Sequence, residues 1–107
     1  MINVAIVGTG GISHEHIQAY LKFPERCRIV ALVDIIPEKA QRVKEQYGLD
    51  AEVYLDHHEI LNKEIDLVDV CTPPYVHAEI SINALRSGKN VVCEKPMAAS
   101  LAECDAV

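Results

Sequence analysis

Four short stretches of this chain hold residue types that could do chemistry. Gly8-Thr9-Gly10-Gly11-Ile12-Ser13 follows the apolar run Ile2 to Val7. Glycines there let the backbone turn tightly and approach a ligand, and amides opening a following helix attract phosphate. Asp34 ends the next apolar run about 20 residues beyond Ser13, the separation at which a carboxylate can accept from ribose hydroxyls. Cys71-Thr72-Pro73-Pro74-Tyr75-Val76-His77 follows a later apolar run. Its two prolines stiffen a loop from which Thr72 and His77 offer polar contacts, with helix capping the equal alternative for His77. Last, Glu94-Lys95-Pro96 follows Asn90-Val91-Val92-Cys93. A lysine at the carboxyl end of a strand can polarise a carbonyl and help move a proton, more so when desolvation lowers its pKa.

The elements that must position these groups are legible as alternating patterns. Residues 2–7 read as a strand buried on both faces. A helix should run from Ile12 to Phe23, with Ile12, His16, Ala19, Tyr20 and Phe23 on one face, and stop at Pro24. Cys27 to Val33 is the second strand. Pro37 suits the first turn of a helix through Tyr47, and Gly48 suits its end. Val53 to Leu55 makes a short third strand, and Asp56 caps a brief helix across His57 to Asn62. Leu67 to Cys71 is the fourth strand, followed by a helix from Val76 to Ser87 that ends at Gly88. Asn90 to Cys93 is the fifth. Ser100-Leu101-Ala102-Glu103 matches a capping box opening one more helix. Strands alternating with helices over short connections indicate an α/β fold. The expected form is a doubly wound parallel sheet of Rossmann type, order 3-2-1-4-5, in three αβα layers.

Composition narrows the function. A chain of 107 residues, 50% hydrophobic and 24% charged, is one ordinary globular domain. No apolar run approaches the ~20 residues needed to span a bilayer, and no signal peptide opens the chain, so a cytoplasmic location is expected. The net charge of −6 falls on the second half: residues 51–107 carry four Lys/Arg and ten Asp/Glu, against six and six before them. No basic stripe faces a nucleic acid or an anionic membrane, so backbone amides must hold any polyphosphate. Cys27, Cys71, Cys93 and Cys104 form no C-x-x-C pair, and Cys27, Cys71 and Cys93, in or at the end of strands, read as small buried hydrophobes. His14 and His16 diverge by about 200° on a helix and His57 and His58 are adjacent, so neither pair chelates an ion. His16 is expected to pack behind the glycine loop. Asp66 and Asp69 are expected to face solvent around the fourth strand.

A lone G-x-G is weak evidence. Here it follows a strand, opens a helix and is trailed by an acid, which is the context of a dinucleotide fingerprint. Ser13 replaces the third glycine and is small enough for close packing. Ile35 and Ile36 after Asp34 offer no adjacent cation to a 2′-phosphate, and the carboxylate repels one, so NAD is favoured over NADP.

The fingerprint, Asp34, Thr72-Pro73-Pro74 with His77-Ala78-Glu79, and above all Glu94-Lys95-Pro96 resemble the N-terminal half of the Gfo/Idh/MocA oxidoreductases across essentially all 107 residues. The resemblance implies that Gly8, Gly10, Gly11 and Ile12 hold the pyrophosphate and Asp34 the adenosine ribose. It implies that Thr72, Pro73 and His77 line the cofactor channel, that Glu94 contacts the nicotinamide ribose, and that Lys95 reaches the substrate hydroxyl or carbonyl. The expected reaction is hydride transfer between NAD and a sugar, cyclitol or related polyol. Such enzymes continue into a second domain that completes the active site and mediates oligomerisation. The chain is therefore expected to be an NAD-binding domain, residues 1–107, cut from a longer protein. Pairing between copies through an open sheet edge or the truncated last helix is possible. The rivals are a stand-alone NAD-binding module without turnover, a scaffold with a vestigial pocket, and an adenosylmethionine-dependent methyltransferase. The Glu94-Lys95-Pro96 stretch and the early fingerprint speak against the last.

Overall fold

In a computed structural model of the chain the described residues are 1–72 and 74–93, residues 74–78 and 93 by backbone alone. Five strands, β1 (Ile2–Val7), β2 (Cys27–Val33), β3 (Glu52–Tyr54), β4 (Leu67–Val70) and β5 (Asn90–Cys93), form one sheet ordered β3-β2-β1-β4-β5. Every neighbouring pair is parallel, as expected. Three helices connect them: α1 (Gly11–Leu21), α2 (Pro37–Tyr47) and α3 (Pro74–Arg86). A 3-10 turn at His57–Ile60 lies between β3 and β4.

The period-2 geometry of a strand sends alternate side chains to opposite faces. Val4, Ile6, Ile29 and Leu32 pack with Ile17 of α1 and with Ala40 and Val43 of α2. Ala5, Val7, Ala31, Val33, Val68 and Val70 pack with Ile60 and with Ile80 and Ala84 of α3. Both faces of β1 are covered, which is why its sequence shows no polar alternation. The β1–β2 register shifts between Val4 and Ala5, so Val30 is passed over.

Local chemistry sets the ends of α2: Pro37 lies in its first turn, and Gly48 closes it at φ 62°, the left-handed conformation that glycine adopts without strain. Asp56 begins the 3-10 turn with a full capping box, accepting from His58 N–H while Glu59 reaches back to Asp56 N–H. The buried face of α1 differs from expectation. Ser13 and Ile17 are buried, whereas Ile12 (38% exposed) and Phe23 (49%) face outward and Ala19 is exposed. The helix lays its Ser13–Ile17 edge on the sheet, with Ile17 in the core and His16 and Tyr20 beside it reaching Asp69.

Cys71 is buried and Cys27 half-buried. Pro73, Glu94, Lys95, Cys104 and the expected helix at Ser100 lie outside the described residues. Among the described residues, no helix is long and apolar enough to cross a membrane.

Candidate functional site

The site is built on the level ends of the strands. Val33, Val7, Val70 and Cys93 are register partners across the sheet, so the residues following β2, β1 and β4 emerge side by side. These are Asp34, Gly8 and Cys71. In a sheet of this order the two halves wind in opposite directions between β1 and β4, and a crevice opens there.

Gly8 makes the close approach possible. Its N–H donates to Val33 O at 2.7 Å, and Cys71 N–H donates to Val7 O at 2.7 Å. Its φ is 93°, and a Cβ there would lie 2.9 Å from the Cys71 carbonyl carbon and 3.0 Å from Thr72 Cγ2. Only glycine meets both constraints. Gly10 and Gly11 are different: a Cβ on either meets nothing within 4 Å. Gly10 caps α1 in an extended conformation, with no side chain capping the helix and no acid in its first turn. The first amides of α1 thus open onto free space at the positive end of the helix dipole. Ser13 is fully buried and donates its hydroxyl to Gly10 O at 2.6 Å, tying the helix to its own loop. That bond explains how serine serves where a third glycine was expected.

Asp34 is held from three directions. Its Oδ2 accepts from Thr9 N–H at 3.0 Å and from the Thr9 hydroxyl at 2.6 Å, while Oδ1 accepts from Ile36 N–H at 2.9 Å. Burial alone would raise its pKa. The bonds from the Thr9 hydroxyl, Ile36 N–H and Thr9 N–H, with Lys39 nearby, outweigh it and hold the carboxyl below its ordinary value of 3.8.

These residues line a cleft of about 540 Å3, within the range of ligand pockets. Gly8, Thr9, Gly10, Asp34, Cys71 and Thr72 form its floor, and Ile35, Ile36 and Leu55 give apolar walls at its mouth. Ile35 is 85% exposed, a large apolar surface for a side chain with no core role. Lys39, one turn into α2, also lines the cleft. Sequence reading considered only the residues adjacent to Asp34 and so passed over this cation.

Behind the glycine loop lies a polar cluster, and here one expectation is overturned. Asp69 does not face solvent: it is fully buried in β4. Its Oδ2 accepts from the Tyr20 hydroxyl at 2.6 Å and meets His16 Nδ1 at 2.6 Å, while Cys71 Sγ lies 3.4 Å from Oδ1. Burial, and then the bond to Asp69, push the Tyr20 phenol well above its ordinary range. Because β4 sits between β1 and β5 under helices, an aspartate in its interior has no water to reach and must find donors. His16 and Tyr20, one turn apart on α1, supply them. The donor atoms of His16, Asp69 and Cys71 lie within 4.8 Å of one another. The 2.6 Å His16–Asp69 separation is a hydrogen bond, shorter than the ~3.3 Å between two ligands on one tetrahedral zinc with ~2.0–2.1 Å bonds. Asp66 does stay at the surface, where it accepts from Asn3 N–H at 2.8 Å.

At the far side of the cleft His57 accepts from Asn83 Nδ2 at 3.0 Å. Burial, then the neighbouring His58, lower its pKa from 6.5 against the opposing pull of Asp56 and Glu79. Position 77 falls within α3, near the cleft-lining Glu79 and Ile80. Thus Gly8, Gly10, Asp34 and Thr72 line one cleft, while Gly11 and Ile12 follow in the first turn of α1 and are not among its lining residues.

A parallel sheet of this order, with a glycine turn, an exposed helix start and a carboxylate at the end of β2, defines a Rossmann-type dinucleotide-binding domain. Comparison with known proteins agrees. Residues 2–107 match the Gfo/Idh/MocA family, described as an oxidoreductase family with an NAD-binding Rossmann fold. The chain is 32% identical over 107 residues to inositol 2-dehydrogenase of Salmonella typhimurium, covering 99% of this chain and 32% of that protein. It is 39% identical over 102 residues to an inositol 2-dehydrogenase/D-chiro-inositol 3-dehydrogenase of Lactiplantibacillus plantarum, covering 94% of this chain and 29% of that one. Among solved structures, myo-inositol dehydrogenase of Lactobacillus casei with NAD(H) and myo-inositol superposes with TM-score 0.88 at 29% identity. That match covers 99% of this chain and 32% of the other. Levoglucosan dehydrogenase with NADH gives TM-score 0.86 at 30% identity, covering 99% and 32%. The chain belongs to the Gfo/Idh/MocA oxidoreductase family and is an NAD-binding domain of that class. It spans about a third of the length of the curated relatives it matches.

Proposed function

We propose that this chain holds NAD across the ends of β1, β2 and β4 for an oxidoreductase that moves a hydride between the nicotinamide and a cyclitol, sugar or related polyol. The observation that carries the reading is the juxtaposition of Asp34, the turn Gly8–Gly10 and Thr72 in one cleft. Empty space above Gly10 and Gly11 fits a pyrophosphate on the amides of Gly11 and Ile12. The ionised Asp34 fits a ribose hydroxyl and disfavours a 2′-phosphate, and Ile35 and Ile36 fit an adenine face.

When bound, NAD supplies the hydride acceptor, and the protein contributes orientation and charge. Gly8 and the Asp69 cluster fix the loop and α1 so that the amides point outward before any ligand arrives. Thr72, Pro73 and His77 are assigned to the channel between adenosine and nicotinamide, and Glu94 to the nicotinamide ribose. Lys95, two residues beyond β5, is assigned to the substrate oxygen: as the neutral amine it would take the hydroxyl proton as hydride leaves, and the ammonium so formed would polarise the carbonyl in the reverse direction. Polypeptide outside these 107 residues is assigned the other wall of the substrate site.

The test is calorimetric titration of this chain with NAD and NADP, followed by NADH formation across a panel of inositols and sugars by the protein that carries the completed substrate site. NAD binding in preference to NADP, with turnover on a polyol abolished by Lys95→Ala, is the expected result. NAD binding without turnover on any polyol would replace the enzyme by a binding module, and tighter adenosylmethionine binding would overturn the cofactor.

A further inference from the structure

We propose that the adenosine ribose is recognised by a Thr9–Asp34 pair, the Thr9 hydroxyl oxygen accepting from one of the two ribose hydroxyls. The inference rests on the dinucleotide reading above and adds a residue to it. An ionised carboxylate offers about four lone-pair positions. In Asp34 three of them are taken: two on Oδ2 by the N–H and hydroxyl of Thr9, and one on Oδ1 by Ile36 N–H. One acceptor position remains, and a ribose brings two donors.

Thr9 supplies the missing acceptor. Its hydroxyl has a single proton, and a carboxylate held ionised can only accept, so that proton lies on the 2.6 Å bond to Asp34. The oxygen keeps two lone pairs and has nothing left to donate. Hydrogen bonding to an anion also polarises it toward stronger acceptance. Thr9 is 4% exposed and lines the cleft beside Asp34. Its backbone N–H is bonded to the same carboxylate oxygen, which fixes the side chain and Asp34 as one unit. Displacing the Thr9 hydroxyl from Asp34 to free a second lone pair would break a short charge-assisted bond for no net gain in acceptors.

The experiment is a chemical double-mutant cycle in which NAD is compared with its analogues lacking the 2′- or the 3′-hydroxyl of the adenosine ribose. In the unsubstituted protein each deletion should weaken binding by about tenfold or more. In Asp34→Ala one of the two deletions should become nearly free, within about twofold, while the hydroxyl held by Thr9 keeps its penalty. In Asp34→Ala combined with Thr9→Val both deletions should be nearly free. An Asp34→Ala protein that binds NAD and in which both deletions are already free overturns the proposal. If Asp34→Ala loses its cooperative thermal transition, Asp34→Val gives the same two readings with a residue suited to a strand end. Failure of the unsubstituted protein to bind NAD at all sinks the dinucleotide reading as well, so the two failures are distinguishable.

Discussion

Gly8 and Gly10 sit two residues apart, and replacing each with alanine should break different things. Alanine at position 8 must take φ 93°, a conformation costing an L-residue about 1–2 kcal/mol. Its Cβ would also come within 2.9 Å of the Cys71 carbonyl carbon. That neighbour is backbone pinned in the β1–β4 ladder and cannot swing aside, so overpacking adds about 1–3 kcal/mol. A loss of about 2–5 kcal/mol is a large share of the ~5–15 kcal/mol that holds such a domain together. At roughly 4–8 °C per kcal/mol, Tm should fall by about 10 °C or more. Alanine at position 10 meets no neighbour and no positive φ, and as a helix N-cap it costs within about 1 kcal/mol. NAD affinity should nonetheless drop by about tenfold or more, because the new methyl occupies the ground assigned to the pyrophosphate. Circular-dichroism melts and calorimetric NAD titration of both variants separate the two effects. If Gly10→Ala melts as early as Gly8→Ala, or binds NAD undiminished, the division of labour argued for this loop is wrong.

Asp69→Ala should destabilise the domain by about 3–5 kcal/mol in urea unfolding, since it removes the buried acceptor shared by His16 and the Tyr20 hydroxyl. In a spectrophotometric titration, one phenol should stay protonated well above the ordinary tyrosine value of ~10, and Tyr20→Phe should remove that late step. Asp34→Ser should shift preference toward NADP by about tenfold, ~1.4 kcal/mol, because Lys39 already lines the cleft; adding Lys39→Ala should cancel the gain. Because folding lowers the His57 pKa from 6.5, its contribution to stability is present above pH 6.5 and lost as pH falls through the folded value. Chemical denaturation between pH 5 and 8 should show that dependence, and His57→Gln should flatten it.

The elements were legible because each stops at a residue that does not readily continue it: Gly8, Asp34 and Pro73 after strands, Gly48 and Gly88 after helices. The same stops hold much of the candidate site, so fold and site were read from one signal. What escaped depended on contacts between distant residues. Asp69 sits in the run Leu67-Val68-Asp69-Val70, and alternation alone suggests a solvent face. Yet the deduced order already places β4 inside the sheet, where a carboxylate needs donors, and His16 and Tyr20 at i and i+4 were available. Lys39 escaped because a helix turn brings it back to the strand end. Lys89 left no local trace: it is buried, with Nζ donating to Lys63 O at 2.8 Å and Ile65 O at 3.3 Å, and it anchors the loop that leads into β4.

The position of β1 at the centre of the sheet has a consequence during synthesis. Its partner β2 follows closely, but the strand that closes its other edge, β4, begins only at Leu67. At about 5–20 residues per second, translation leaves that edge open for roughly 3–12 s. Over the same interval His16 and Tyr20 have no Asp69 to meet. A nascent chain with an apolar strand, Val4-Ala5-Ile6-Val7, unpaired on one side is a template for wrong association. Arrival of β4 both closes the ladder and neutralises the stranded donors of α1. Ribosome-bound chains ending before Leu67 should therefore be held by chaperones, and those extending past β4 released.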